Sequence, residues 1–397
     1  MASQLSIPFH RATIGDEEVA AVSEVLRSGW LTMGTRTQEF ERQFARYVGA
    51  PDAIAVSSGT AALHLALDAI GLRPGEEVLL PTTTFTATAE AVIYLGGRPV
   101  LVDIEPNAMN IDVEDAARRI TPRTRAILAV HLAGLPCDLE ALQKLASNYG
   151  LRVVEDAAHA LPSSYGGRTI GSISEFTAFS FYATKTLTTG EGGMVTTANA
   201  EAAERMRMMR LHGISRDAWK RYHAEGSWRY EVMEAGYKYN FTDLQAAIGL
   251  VQLQKCDAMC EARRRIAEQY TLGLQDLEEV ELPATPPDRE SSWHLFILRL
   301  HLDRLEIDRD QFIEELKRCG VGCSVHFIPL HLHAFYQREF GCGAGDFPTA
   351  EAEYRRCISL PIFPTMREDE IERVLQAVIG TVRMTAKRVP APRYAAR

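Results

Sequence analysis

Residues 177–193 read TAFSFYATKTLTTGEGG, and this stretch decides the fold that we predict for the rest of the chain. An apolar strand runs into a turn of small polar residues with one lysine, Lys185, and a glycine pair then leads into a second strand at 194–197. Lys185 therefore follows the carboxyl end of a strand. A lysine in such a place can lose its charge through desolvation and attack a carbonyl group, although an ordinary solvated surface lysine fits the same pattern.

Short apolar runs alternate with helix-like segments between residues 54 and 197. The runs that we predict as buried strands cover residues 53–56, 77–80, 99–102, 126–130, 152–154, 178–181 and 194–197. Most connections between them show a helical period, which is typical of a mostly parallel sheet with helices on both faces. The sequence therefore predicts an α/β fold whose ligands gather at the carboxyl ends of the strands.

The second half of the chain predicts a smaller α+β unit. Its predicted elements are a long helix from Thr242 or Asp243, strands at 294–300 and 322–327, and helices at 309–319 and from 368 onwards. We expect a large domain at 1–250 and a smaller C-terminal domain at 251–397, with the N-terminal segment able to pack on the smaller one. Residues 213–239 show no clear period, and a loop of that length is usually functional or at an interface.

Composition excludes several classes of protein. The chain has 397 residues, 46% of them hydrophobic, and a formal charge of −9 with acidic and basic residues interspersed. We therefore expect no basic face for nucleic acid. No apolar run approaches the roughly 18 residues of a membrane span, and the N-terminus lacks a secretory core, which predicts a cytoplasmic protein without a membrane partner.

Cysteine and histidine spacing does not predict a metal site. The seven cysteines are an odd number spread along the chain, which favours reduced thiols over a disulfide framework. The pairs Cys256/Cys260 and Cys319/Cys323 have a four-residue step that on a helix merely puts two small residues on one face. The remaining candidates are His326, His331 and His333, which have no carboxylate or cysteine beside them at ligand spacing.

Three other strand ends carry residues that could bind a ligand. Residues 57–67, SSGTAALHLAL, open a helix whose free N–H groups could hold phosphate, although simple capping by serine or threonine explains them as well. Asp156 follows another strand and could pair with a buried cation or cap a turn, and His159 could hydrogen-bond to a neighbouring oxygen. Phe85 follows a third strand as a stacking platform or as plain core.

Together the four strand ends offer an anion cradle, an aromatic face, a carboxylate and an amine. Pyridoxal phosphate requires all four, because its phosphate is held, its ring is stacked, its pyridine nitrogen is kept protonated and its aldehyde is linked to a lysine. The sequence therefore predicts this cofactor.

Six segments in order carry a resemblance to a known family. They are SSGTAALHLA, PTTTFTATAEAV, EDAAHALPSSYGGR, FSFYATKTLTTGEGG, RLHG and GYKYNFTDLQAAIGL, with RSGWLTMG before them and SSWHLFILRL, GVGCSVHFIPLH and ISLPIFP after them. This set resembles the DegT/StrS group of nucleotide-sugar aminotransferases, which are fold-type I pyridoxal phosphate enzymes. The resemblance implies a mostly parallel seven-stranded sheet in the large domain, together with a small α+β domain.

The resemblance also implies roles for individual residues. Lys185 would hold the cofactor covalently and carry protons, Asp156 would pair with the pyridine nitrogen, and His159 would lie near the phenolic oxygen. Phe85 would take the stacking position. The predicted phosphate contacts are the N–H groups of Thr60 and Ala61 and the side chain of Ser180.

A second subunit completes each site in this family, so the resemblance implies a homodimer with active sites at the interface. The contributing segment corresponds to residues 236–240. Many members have asparagine where this chain has Lys238, so either Lys238 or Asn240 could reach the partner's phosphate.

The predicted activity is an aminotransferase. Members that replace the lysine with histidine carry out dehydration, so Lys185 favours transfer of an amino group from an amino acid, most simply L-glutamate, to a nucleotide-linked keto sugar. Several motifs resemble most the sugar 4-aminotransferases, including those that make UDP-4-amino-4-deoxy-L-arabinose for lipopolysaccharide, which favours a 4-keto acceptor. His326 and His331 would line the sugar site or pack the tail domain.

Two alternatives remain open from the sequence. A pyridoxal phosphate lyase or amino-acid aminotransferase on the same fold would need an arginine dedicated to the substrate carboxylate, which the sequence does not place. A cofactor-binding regulator would need a DNA-binding module, and the chain shows no basic recognition helix.

Overall fold

The computed structural model describes residues 6–214 and 230–387. Its strands are β1 (Asp52–Val56), β2 (Glu77–Pro81), β3 (Arg98–Val102), β4 (Thr124–Val130), β5 (Arg152–Asp156), β6 (Ser164–Tyr165), β7 (Arg168–Thr169), β8 (Phe176–Ser180), β9 (Gly193–Thr197), β10 (Val280–Glu281), β11 (Arg289–Glu290), β12 (Phe296–Leu300) and β13 (Cys357–Leu360). Seven of them form the central sheet, in the order β1-β9-β8-β5-β4-β2-β3.

The described helices are α1 (Asp16–Ser28), α2 (Thr35–Val48), α3 (Gly59–Ala69), α4 (Ala87–Tyr94), α5 (Val113–Arg118), α6 (Leu139–Tyr149), α7 (Ala200–Met209), α8 (Asp243–Leu274), α9 (Arg309–Arg318), α10 (Ala334–Phe340), α11 (Pro348–Arg356) and α12 (Glu368–Thr385). None of these helices combines the length and the apolar character that a membrane crossing requires.

The central sheet confirms the predicted α/β fold. β3, β2, β4, β5 and β8 pair in parallel, and β9 is antiparallel to both of its neighbours, β8 and β1. Two buried apolar clusters cover its two faces, one built on α3 and α4 and the other on α2 and α6. The parallel strands end at one edge, and the loops that follow them carry the predicted site residues.

A third apolar cluster belongs to the C-terminal part. It joins the antiparallel sheet β10-β12-β13 to α9 and α12 and to the second half of α8. Ile7 from the N-terminal segment is buried in this cluster, with 1% of its surface exposed. The predicted boundary at residue 250 falls inside α8, whose first half packs in a cluster of the central sheet, so the domain limits stay a proposal.

One predicted strand was wrong. Within residues 322–327 only Ser324 forms an isolated bridge, to Ser359 of β13, and the neighbouring Val321 forms another with Ile7. The apolar alternation of this segment is real, but its backbone hydrogen bonds go to two different partners. The Gly322 N–H donates to the Ile7 carbonyl at 2.9 Å, and Ser324 exchanges two hydrogen bonds with Ser359, at 3.2 and 2.8 Å. The third strand of the small sheet is β13 instead.

The thiols follow the expected pattern. All seven cysteines lie in the described ranges and none forms a disulfide. Cys256 and Cys260 are both buried on α8. Within residues 6–214 and 230–387, no three His, Cys, Asp or Glu side chains come together in an arrangement that could hold a metal ion.

Five phenylalanine rings anchor the strand that leads to Lys185. Phe40 on α2 lies 5.4 Å from Phe181 and 5.8 Å from Phe241 between ring centroids. Phe44 on the same helix lies 5.1 Å from Phe179. All five side chains are buried. The end of β8 therefore rests on α2 and on the chain just before α8.

We expect Phe40→Ala to lower the free energy of unfolding by about 3–5 kcal/mol, since it removes a buried ring and leaves a cavity. The measurement is urea unfolding of the purified protein. The matched control is Val19→Ala on the solvent-facing side of α1, where Val19 is 59% exposed, and it should change stability by less than about 0.5 kcal/mol. Equal effects of the two substitutions would contradict the packing role of Phe40.

Candidate active site

A cavity of about 640 Å³ lies at the carboxyl edge of the central sheet. The loop after β8 gives Lys185, β5 gives Asp156, and the start of α3 gives Gly59 and Thr60. The C-terminal part closes the other side with His294, Ser324, His326, Phe327 and Ile362. The structure thus brings together residues from distant parts of the chain in one volume large enough for a cofactor and a small substrate.

Lys185 is the amine of this cavity. Burial lowers the pKa of its side chain to about 8, and the Asp156 carboxylate opposes that shift. Its backbone N–H donates to the Tyr182 carbonyl at 2.9 Å, which closes the turn at the end of β8. At pH 7 roughly a tenth of this amine is therefore neutral, which is far more than for an ordinary lysine and is the form that a nucleophile or proton acceptor requires.

Asp156 is the carboxylate opposite Lys185. It accepts hydrogen bonds from the Thr88 hydroxyl at 2.9 Å and from the Ala158 N–H at 3.1 Å. Burial raises the pKa of Asp156, while these two donors and the charge of Lys185 favour the ionised form. Thr88 was missed as a site residue. Its signal was the run of threonines after β2, which places hydroxyls at the strand end.

His159 is buried between two other rings. Its ring centroid lies 4.3 Å from that of His294 and 5.9 Å from that of Phe327. Burial, reinforced by the positive charge of Lys185, holds the pKa of His159 well below its usual range. Its Nδ1 atom makes no hydrogen bond to any described residue. This atom is therefore available to hydrogen-bond with a ligand bound in the cavity.

The start of α3 forms the polar end of the cavity. Ser58, Gly59, Thr60 and Ser180 line it together. A Cβ atom on Gly59 would lie 2.9 Å from the Ser180 Cβ, so only glycine permits this close approach of β8. The helix N-terminus and the hydroxyls of Ser58, Thr60 and Ser180 make this end suitable for a phosphate group.

The predicted contact of Ala61 needs correction. The Ala61 N–H donates to the Ser58 hydroxyl oxygen at 3.0 Å, and Ala61 is not among the residues that line the cavity. The N–H group is used inside the helix cap, as the alternative interpretation of this motif expects.

Phe85 lies on the cavity wall and not in the core. Its side chain is 59% exposed, and its ring centroid is 6.0 Å from that of Phe327. Phe85 is therefore not plain core, and its role as a stacking platform stays a prediction.

His326 and His331 have different environments. His326 lines the cavity, and its Nδ1 atom lies 2.8 Å from the Ser359 hydroxyl. His331 is fully buried outside the cavity lining, with its ring nitrogens 2.8 Å from the Thr82 hydroxyl and 3.3 Å from Glu351. Of the two interpretations that the sequence left open for His331, these contacts favour packing of the C-terminal part against the residue after β2.

Lys238 and Asn240 lie outside the cavity of their own chain. The Lys238 ammonium donates to the Asn240 amide oxygen at 2.6 Å on the exposed surface. The backbone of Asn240 bridges Val56 at the end of β1, close to the start of α3. Neither side chain is in a position to contact a ligand bound by this chain alone.

Three further cavity residues were missed by the sequence analysis. Phe9 and His10 come from the N-terminal segment, and His294 precedes β12. His294 stood in a motif of the family resemblance, but nothing local marked the other two, since they lie about 175 residues from Lys185 in the chain.

These residues fit pyridoxal phosphate. The cavity holds a buried amine, a buried carboxylate, an exposed phenylalanine face and a helix N-terminus, and the unpartnered Nδ1 of His159 leaves a hydrogen bond for the cofactor's phenolic oxygen. These groups meet the requirements of the cofactor's aldehyde, pyridine nitrogen, ring, phosphate and phenolic oxygen.

We expect Asp156→Asn to lower the pKa of Lys185 below 8 in the cofactor-free protein, because the carboxylate that favours the ammonium form is gone. Lys185 should then react faster with an acylating reagent at pH 7, as followed by mass spectrometry across a pH series. Glu191→Gln is the matched control. Glu191 also lines the cavity but has no part in the pKa shift of Lys185. A pH profile that Asp156→Asn leaves unchanged would refute this coupling.

Comparison with known proteins agrees with this geometry. The model of the DegT/DnrJ/EryC1/StrS aminotransferase family matches residues 12–379. The spore coat polysaccharide biosynthesis protein SpsC of Bacillus subtilis is 46% identical over 378 residues, which cover 95% of this chain and 97% of SpsC.

Two solved structures extend the comparison. Spr1654 of Streptococcus pneumoniae, assigned as a sugar aminotransferase, superposes in its PLP form with a TM-score of 0.90 at 33% identity, covering 96% of this chain and 99% of Spr1654. It has also been solved in its PMP form. PseC of Helicobacter pylori, an aminotransferase in pseudoaminic acid biosynthesis, gives a TM-score of 0.88 at 28% identity, covering 96% of this chain and 100% of PseC. The chain therefore belongs to the DegT/DnrJ/EryC1/StrS family of pyridoxal phosphate-dependent sugar aminotransferases.

Proposed function

We propose that this enzyme moves an amino group from L-glutamate to the 4-keto group of a nucleoside-diphosphate-linked sugar. The observation that carries the proposal is the burial of Lys185 and Asp156 in one cavity, whose C-terminal wall has space and polar groups for a sugar. The related SpsC is a spore coat polysaccharide biosynthesis protein, and PseC is an aminotransferase involved in the biosynthesis of pseudoaminic acid. We extend that role in polysaccharide or lipopolysaccharide synthesis to this enzyme.

Pyridoxal phosphate supplies an electron sink that stabilises the carbanion formed when a proton leaves the amine-bearing carbon. Lys185 holds the cofactor between turnovers and moves that proton through its Nζ atom, for which a pKa of about 8 is well matched to neutral pH. Asp156, fixed by Thr88 and Ala158, keeps a proton on the pyridine nitrogen.

The other cavity residues bind and orient. The Nδ1 atom of His159, which has no partner among the described residues, hydrogen-bonds to the phenolic oxygen of the cofactor. Phe85 packs against the pyridine ring of the cofactor. Thr60 and Ser180 hold the phosphate at the start of α3. His326 contacts the sugar as a neutral ring, since burial and then the charge of Lys185 lower its pKa to about 4.

We also propose that the enzyme works as a homodimer in the cytoplasm. Lys238 and Asn240 are available on the surface, and the cavity rim exposes aromatic side chains, Phe85 at 59% and Tyr182 at 47%. A second copy seated on this rim would cover these rings and bring Lys238 or Asn240 to the phosphate. The seven free thiols suit a reducing compartment.

Single-turnover experiments test the reaction. Glutamate added to the PLP-loaded enzyme should release one equivalent of 2-oxoglutarate and leave the pyridoxamine form. That form should then transfer nitrogen to 4-keto sugars carried by UDP, dTDP or GDP, and not to 3-keto sugars. Lys185→Ala should lose turnover completely, because it removes the amine that holds the cofactor and moves the proton. The proposed acceptor would be wrong if the enzyme aminated 3-keto sugars, or if it aminated only the free keto-acid precursors of amino acids.

Subunit complementation tests the shared site. We expect Lys185→Ala protein and Lys238→Ala/Asn240→Ala protein to be nearly inactive separately. Mixed dimers should recover activity, because one of their two sites keeps all three residues. The measurement is turnover after subunit exchange, and mixing the Lys185→Ala protein with an Asp156→Asn partner is the matched control, since neither mixed site is then intact. Failure of the first mixture to recover would place Lys238 and Asn240 outside the partner's site.

A further inference from the structure

The N-terminal segment at residues 7–13, here called the arm, runs from the C-terminal part to the lysine loop. Ile7 is fixed first, because its N–H donates to the Gly320 carbonyl at 2.8 Å and its carbonyl accepts from the Gly322 N–H at 2.9 Å. Phe9 then stacks on His326 with ring centroids 5.3 Å apart. The arm therefore lies against the cavity wall along much of its length.

His10 ties the arm to the loop that carries Lys185. Its Nε2–H donates to the carbonyl of Ala183 at 3.1 Å, two residues before Lys185. Burial, and then the positive charge of Arg263, lower the pKa of His10 to about 4, so the ring is neutral and has a single N–H. This N–H donates the hydrogen bond to the Ala183 carbonyl.

Gln252 on α8 ties the same two segments together on the other side of Lys185. Its amide oxygen accepts from the Thr188 N–H at 3.4 Å, and its amide nitrogen donates to the Thr13 carbonyl at 2.7 Å. Glu18 accepts a second hydrogen bond from this nitrogen at 2.8 Å. Gln252 is buried, with 1% of its surface exposed, and it does not line the cavity.

The arm and Gln252 thus hold the lysine loop at two points, Ala183 before Lys185 and Thr188 after it. A side chain that must both bond to a cofactor and carry a proton needs a backbone held to a fraction of an ångström. We propose that His10 and Gln252 are positioning residues that fix the loop of Lys185 through the arm. This inference rests on the role of Lys185 given above and adds two residues that act on it without reacting themselves.

The test follows attachment of the cofactor to Lys185 in the absence of any substrate. Pyridoxal phosphate is added to the cofactor-free protein, samples are reduced with borohydride, and the modified Lys185 peptide is measured by mass spectrometry over time. We expect His10→Phe, which keeps a ring of similar size but no N–H, to slow attachment about tenfold. His10→Gln, which restores an N–H donor, should recover to within about twofold of the wild type.

Gln252→Leu provides an independent test of the same proposal. Because Gln252 does not line the cavity, a slow attachment in this variant cannot come from a lost substrate contact. In steady state both variants should lose kcat about tenfold, with KM values for donor and acceptor within about twofold. Near-UV circular dichroism identifies the variants that fold.

Arg11→Gln is the matched control. Arg11 is in the arm and pairs with Glu370 at 3.1 Å, away from the lysine loop, so its loss should change attachment less than about twofold. A wild-type attachment rate in either folded variant overturns the proposal, and so does a rise in KM without a fall in kcat. If the acceptor is a different sugar, the His10→Phe and Gln252→Leu variants should still attach the cofactor slowly. The proposed acceptor and the proposed role of these two residues can therefore fail separately.

Discussion

The rest of the site depends on placing a lysine amine and an aspartate carboxylate together out of water. Burial alone would push both toward their neutral forms, since a low-dielectric surrounding disfavours either charge. Their mutual attraction works against that tendency, and the opposing effects leave Lys185 with a pKa of about 8. An amine with that pKa can exchange a proton in both directions near neutral pH, which is what moving a nitrogen between two carbons requires.

The fold holds the Lys185 amine and the Asp156 carboxylate on two separate, rigid elements. Asp156 ends a central strand whose neighbours on both sides are parallel, and its oxygens are fixed by Thr88 and Ala158. Lys185 follows β8, which rests on the phenylalanine rings of α2. The neutral rings of His159, His294 and His326 complete the wall without adding competing charge, because burial lowers the pKa of each.

Much of this arrangement could be predicted because the information is local. Strand periods identified the central sheet, and the carboxyl-end rule then grouped Lys185, Asp156, Phe85 and Gly59 with no contact known in advance. The same reasoning failed where contacts join residues that are far apart in the sequence. Residues 322–327 have the apolar alternation of a strand, but their backbone hydrogen bonds are divided between Ile7 at the far end of the chain and Ser359 on β13. His331 stands in a promising motif, yet its ring is buried against Thr82, and no feature near residues 9 and 10 indicates that they reach the lysine loop.

The unbroken helix α8 has a mechanical consequence. It is 32 residues long, or about 48 Å at the usual rise per residue, and it contributes to an apolar cluster at each end. The two apolar clusters are therefore connected by one continuous run of helical hydrogen bonds. Gln252 lies on this helix, so the C-terminal part and the loop of Lys185 share one structural support.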